Sequence, residues 1–252
     1  MLIKKSLLAL ALSVGALVGN AALASSGGAH LEDAHSDVSN TASLQRGARN
    51  FVNYCSGCHS ARYVRFNRLA HDLQLTEGQV TNNLMFTGGR IHDTLDTVLP
   101  ASDAKRWFGT TPPDLSLIAR SRGPDYLYTF LKSFYVDPSR PTGVNNLVLP
   151  GTAMPHVLWE LQGLQEQVHR GEVDAEANAV HKKFEALKLK EPGKLTPEEY
   201  DQFVRDTVNF LAYIGEPMQL QRRQLGFYVL AFLGVFLLLA YFLKKEYWKD
   251  VP

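Results

Sequence analysis

The chain has 252 residues, enough for one domain with a substantial core, and 45% of them are hydrophobic. Its 26 Lys and Arg stand against 25 Asp and Glu, a formal charge of +1 that argues against the basic surface of a nucleic-acid binder. Only two cysteines are present, which excludes a multi-bridge disulfide framework and a zinc site built from two cysteine pairs.

The N-terminus reads Met1-Leu2-Ile3-Lys4-Lys5, then an apolar run from Leu7 to Val18, then Ala22-Leu23-Ala24. A charged start, a short apolar stretch and an A-x-A site predict an export signal, residues 1–24, cleaved after Ala24. Residues 25–40 are polar and rich in Gly, Ser, Asp and His, a flexible lead-in. From Thr41 the spacing of Leu44, Ala48, Phe51, Val52 and Cys55 predicts a helix that runs into Cys55-Ser56-Gly57-Cys58-His59. C-x-x-C-H is the attachment pattern of a c-type haem. Two thiols so spaced lie on one side of a turn and each bonds a vinyl group of the same porphyrin. His59 then rises beneath the ring as an axial ligand to iron. A redox dithiol or half a zinc site also uses C-x-x-C, but neither a second cysteine pair nor a βαβ context accompanies it here. With no internal repeat and no second C-x-x-C-H, one covalently attached haem c is expected.

The middle of the chain is loop-rich, punctuated by Gly88-Gly89, Pro100, Gly109, Pro112-Pro113, Gly123-Pro124, Pro138, Pro141 and Gly143. A short helix is predicted from about Asp125 to Tyr135, burying Leu127, Tyr128, Leu131 and Phe134. Beyond the signal there are three methionines, Met85, Met154 and Met218. Met154 is the best candidate for the second axial ligand. Its loop, Pro150-Gly151-Thr152-Ala153-Met154-Pro155, follows the haem motif at a distance, and Pro155 restrains Met154 to extended backbone. Met85 reads as its competitor or as a core residue, and Met218 sits just before the anchor. His156 is close enough to be considered, although a surface histidine is the preferred reading. His/Met ligation closes both axial positions and raises the reduction potential. The site chemistry is then outer-sphere electron transfer.

Residues 162–194 are charged, alternate in sign and show no strong apolar stripe, so they read as a solvated excursion without assigned chemistry. Thr196-Pro197-Glu198-Glu199 opens the last soluble helix with a capping box and Pro at the first helical position. Gly215 and Pro217 stop it. Residues 225–243 carry no charge, and as a helix they are about 28 Å long, close to the hydrocarbon thickness of a bilayer. Lys244, Lys245, Tyr247, Trp248 and Lys249 supply the interfacial flank. This organisation predicts a periplasmic domain over residues 25–221, a single transmembrane anchor over 225–243 in a bacterial inner membrane, and a cytoplasmic tail over 244–252. The exported part holds 19 Lys and Arg against 23 Asp and Glu, which suits either a basic partner or ordinary solubility.

With these residues placed, the chain resembles the cytochrome c1 family, the haem c subunit of ubiquinol–cytochrome c reductase (bc1). The resemblance runs from about Arg46 to Val251. It rests on Cys55-Ser56-Gly57-Cys58-His59-Ser60, Pro112-Pro113-Asp114-Leu115-Ser116-Leu117-Ile118-Ala119-Arg120, Gly123-Pro124-Asp125-Tyr126, Pro141-Thr142-Gly143, the Met154 loop, and Glu216-Pro217 ahead of Arg222-Arg223. It implies a mainly α fold, a cytochrome c-like haem domain with loop-rich insertions and one C-terminal transmembrane helix. It implies thioethers at Cys55 and Cys58, axial ligands His59 and Met154, a propionate partner in Arg120, and pocket walls at Pro113 and Tyr126. The implied partners are cytochrome b and membrane lipid at the anchor, the Rieske iron–sulfur protein as donor, and a soluble cytochrome c or equivalent as acceptor, in a dimeric respiratory complex. The sequence departs from the family pattern at Phe108-Gly109-Thr110-Thr111 and lacks a further disulfide to brace the methionine loop. The rivals are an anchored cytochrome c serving a terminal oxidase or denitrification enzyme, an open-site haem peroxidase or sensor, and a tethered thiol redox protein.

Overall fold

Two long helices form the spine of the domain. Helix α1, Thr41–Tyr54, begins where the Asn40 side chain accepts from the Ser43 N–H. Its apolar face, Leu44, Ala48, Phe51 and Val52, is buried as the periodicity predicts. The computed structural model describes residues 30–87, 89–174 and 179–249, and the compact unit begins at Leu31. The expected signal, residues 1–24, lies outside the described residues, as do 250–252 of the expected tail.

Short elements follow the haem motif: β1 Ala61–Arg65, α2 Phe66–Asp72, α3 Glu77–Asn83, β2 Thr94–Leu95, α4 Ala101–Phe108, α5 Ile118–Arg122, α6 Pro124–Lys132, β3 Phe134–Val136, β4 Val144–Asn146 and α7 Trp159–Gln162. Helix α6 starts on Pro124 and stops at Lys132, short of the expected Tyr135. Phe134 instead opens the antiparallel pair β3–β4, with Phe134 opposite Asn146 and Val136 opposite Val144.

The charged stretch after Gln162 is a two-stranded antiparallel ribbon, β5 Gly163–Asp174 and β6 Ala179–Pro192. The excursion expected there is therefore regular structure. Its alternation is at strand period, so it carries no apolar stripe at helical spacing. Gly163 sits at its base with φ +92°, and a Cβ there would lie 2.1 Å from the Glu191 carbonyl oxygen.

Helix α8, Pro197–Gly215, opens with the predicted capping box: Thr196 Oγ1 accepts from the Glu199 N–H while Glu199 accepts from the Thr196 N–H. It packs along α1. Gly47 permits the close approach, because a Cβ there would lie 2.1 Å from the Asp206 carbonyl oxygen. Phe51 meets Phe210 at 5.6 Å. Several polar groups buried in this contact are paired: Asp206 accepts from Ser43 Oγ at 2.7 Å and Arg46 Nε at 2.6 Å, and Asn50 Nδ2 donates to Thr207 Oγ1 at 3.1 Å.

Three residues later α9, Gln219–Tyr247, begins. It has 29 residues, is long and apolar enough to cross a membrane, and exposes Phe227, Leu230, Phe232, Phe236 and Leu239. The fold is mainly helical with one C-terminal apolar helix, as the sequence predicts.

Candidate functional site: the C-x-x-C-H turn and its surroundings

Helix α1 ends at Tyr54, and the Cys55 N–H donates to the Phe51 carbonyl at 2.8 Å. The chain then folds back tightly. The Cys55 carbonyl accepts from the Cys58 N–H at 3.1 Å and from the His59 N–H at 2.9 Å. This turn gathers both thiols and the imidazole at one helix end. Cys55 and Cys58 are half-buried and not joined to each other. Burial pushes the Cys55 thiol up to about 12, with a smaller contribution from Cys58, and burial also raises Cys58.

Two segments distant in sequence hold the turn. Thr97 donates its Oγ1 hydrogen to the Gly57 carbonyl at 2.9 Å and its N–H to Ser60 Oγ at 3.0 Å. From the other side, the Leu115 N–H donates to the Ser60 carbonyl at 2.8 Å, and the Arg62 N–H donates to Asp114 Oδ2 at 3.0 Å. Between these, His59 Nδ1 donates to the Pro113 carbonyl at 2.7 Å. A carbonyl only accepts, so the proton sits on Nδ1 and the lone pair on Nε2 points away. Burial pulls the His59 pKa below its usual value, opposed by the Pro113 carbonyl and Asp114. This is the donor set of a c-type haem: two unpaired thiols and an imidazole whose free nitrogen is available to iron. On that chemistry the residues fit the group.

The remaining predicted residues sit on other elements, and among the described residues no hydrogen bond or ion pair links Met154 or Arg120 to the turn. Tyr126, on α6, is half-buried; its ring lies parallel to Phe130 at 6.3 Å and under the Arg122 guanidinium at 5.5 Å. Arg120, on α5, is 56% exposed and pairs through Nη1 with Glu216 Oε2 at 2.6 Å. Glu216 also receives Arg222. Met154 is half-buried and its N–H donates to Thr152 Oγ1 at 3.3 Å. Met85 belongs to the hydrophobic core, and the Met218 sulfur accepts from Arg68 Nη2 at 3.4 Å.

One expectation is corrected here. His156 is not a surface histidine: it is buried, with its ring stacked on Phe134 at 4.9 Å. Burial lowers its pKa to about 4, against opposing contacts from the Gly163 backbone and the Gln162 side chain. Sequence reasoning also missed the Thr97 contacts and the Arg120–Glu216 pair, because these partners lie far apart along the chain.

The sequence model of the cytochrome C1 family matches residues 33–181 and 191–251. The chain belongs to the cytochrome c1 family. It is 52% identical to a cytochrome c1 of Allochromatium vinosum over 93% of this chain and 95% of that protein. It is 46% identical to a Nitrosomonas europaea protein named ammonia monooxygenase gamma subunit, over 88% of each. It is 29% identical to a Bradyrhizobium diazoefficiens protein named cytochrome b/c1, over 82% of this chain and 33% of that one. Membership of this family implies haem c and a role in electron transfer.

Proposed function

We propose that this chain is the haem c relay of a quinol-oxidising bc1 complex, taking electrons from a Rieske iron–sulfur protein and passing them to a soluble cytochrome c or equivalent acceptor. The observation that carries this reading is the His59–Pro113 hydrogen bond, which leaves Nε2 as the free nitrogen beside two unpaired thiols. Cys55 and Cys58 would hold one haem by thioethers, and His59 Nε2 and Met154 Sδ would bind its iron. Haem c, when bound, supplies a one-electron iron centre. The chain's own residues bind it, orient it and tune it. Pro113 fixes the imidazole, the soft Met154 thioether favours ferrous iron, Arg120 neutralises a propionate, and Pro113 and Tyr126 wall the pocket.

The topology that fits is a signal over 1–24, a periplasmic head over 25–221, an anchor over 225–243 in a bacterial inner membrane, and a cytoplasmic tail over 244–252. The family and the relative named cytochrome b/c1 support cytochrome b as the partner packed on the anchor, within a dimeric complex. The name of the Nitrosomonas relative describes that protein; the attachment motif and the family favour the relay here. A reduced-minus-oxidised spectrum of the chain purified from its own membranes in mild detergent tests the reading. A c-type band with accompanying b-type bands is the expected result. A c-type band alone favours an anchored carrier serving an oxidase, and no covalent haem on a denaturing gel removes the haem assignment altogether.

A further inference from the structure

The loop that carries Met154 is held by buried groups on both sides. Upstream, Asn146 is 0% exposed. Its Oδ1 accepts from the N–H groups of Val148 and Leu149 at 2.9 and 3.1 Å, and its Nδ2 donates to the Phe130 carbonyl at 2.8 Å. Arg140 Nη2 donates to the Gly151 carbonyl at 2.9 Å, and the Gly151 N–H donates to Asn145 Oδ1 at 2.7 Å. Downstream, two residues past Met154, His156 is 6% exposed. Its ring lies parallel to Phe134, centroids 4.9 Å apart and planes 4° apart. Phe134 is 1% exposed and meets Phe130 edge-on at 5.1 Å, and Phe130 in turn lies along Tyr126. A column of four rings therefore runs from α6 to the methionine loop.

An imidazole is a poor choice for filling this space. His156 Nε2 is buried without a hydrogen-bond partner, and so is Oε1 of Gln162, whose side chain faces the ring. Orphaned polar atoms weaken a core that an apolar side chain would fill without them. What the ring does provide is a flat, rotationally restricted anchor. Between it and Met154 stands only Pro155, whose φ is fixed and which disfavours helical backbone at Met154. Few torsions separate the stack from the thioether.

We propose that His156 is a positioning residue for Met154: clamped against Phe134, it fixes the path of the Pro155 peptide and so holds the Met154 sulfur on the haem iron. This rests on the reading that Met154 is an axial ligand. The test uses His156→Ala, His156→Phe and Met154→Leu in the full chain in its native membranes. The oxidised protein is read by its methionine-to-iron charge-transfer band and by the rate at which added imidazole displaces the axial ligand. Loss of the stack is expected to weaken the band and to speed displacement by about tenfold, the equivalent of one aromatic pair. His156→Phe keeps the stack and is expected to stay near the parent rate. An unchanged band and rate in His156→Ala overturns the proposal, as does a Phe variant as fast as the Ala variant. If Met154→Leu leaves the band in place, the ligand reading itself falls and takes this one with it. If His156→Ala does not accumulate, Phe134→Leu removes the stack from the opposite side and is read by the same two measurements.

Discussion

His59 Nδ1 donates to the main-chain carbonyl of Pro113, 54 residues away, at 2.7 Å. The acceptor is backbone, so no side-chain change at Pro113 removes it; only a change in backbone freedom does. Pro113→Gly releases a fixed φ. The haem is expected to stay covalently attached while the imidazole samples more orientations, broadening the low-spin EPR signal of the oxidised protein. A signal as narrow as the parent's counts against the role given to this bond.

Gly47 tests the spine. A Cβ at this position would lie 2.1 Å from the Asp206 carbonyl oxygen and 2.6 Å from Phe210 Cβ, both parts of α8 that cannot swing aside. Gly47→Ala is expected to cost about 1–3 kcal/mol by forcing α1 and α8 apart, despite alanine's better helix propensity. Thermal unfolding of the detergent-solubilised protein checks this. An unchanged or raised midpoint contradicts the tight contact.

Asp201 gives the acid dependence its sign. Burial pushes this carboxyl up, but hydrogen bonds from Tyr128, Lys132 and Arg205 outweigh it and hold the pKa at about 2 against an ordinary 3.8. The depressed value means the contribution is fully present above pH 3.8 and drains away as pH falls towards 2. Asp201→Asn should be less stable than the parent at neutral pH, and the difference should shrink across that window. Melting curves taken at pH 7, 4, 3 and 2 decide it; a difference that stays constant is the contrary result.

Arg120, more than half exposed, pairs with the half-buried Glu216, a contact that the proposed haem site brings into play. A cation near a propionate disfavours ferric iron, and a carboxylate holding that cation offsets it. Arg120→Gln is expected to lower the midpoint potential and Glu216→Gln to raise it, each more at low salt than at high. Redox titration of the two variants settles the matter. Potentials that do not move would place Arg120 away from the haem.

The helices were legible from sequence because their signals are local. Leu44, Ala48 and Phe51 recur on one face, and Thr196 with Glu199 announces a start within four residues. The C-x-x-C-H turn was legible for the same reason. The ribbon was not, although Leu187-Lys188-Leu189-Lys190 carries a two-residue alternation that a search at strand period would register. His156 was misplaced because its burial depends on Phe134, which no local pattern reveals. The Pro113 acceptor lay beyond reach too, since a carbonyl has no letter in the sequence.

Only Glu216, Pro217 and Met218 stand between α8 and α9. One carboxylate there grips Arg120 and Arg222, and the Met218 sulfur meets Arg68. Such a junction is short and pinned by side chains from α2, α5 and α9. On the proposed function, a head joined so closely to its anchor would leave most of the distance to a donor or an acceptor to be crossed by the other molecule.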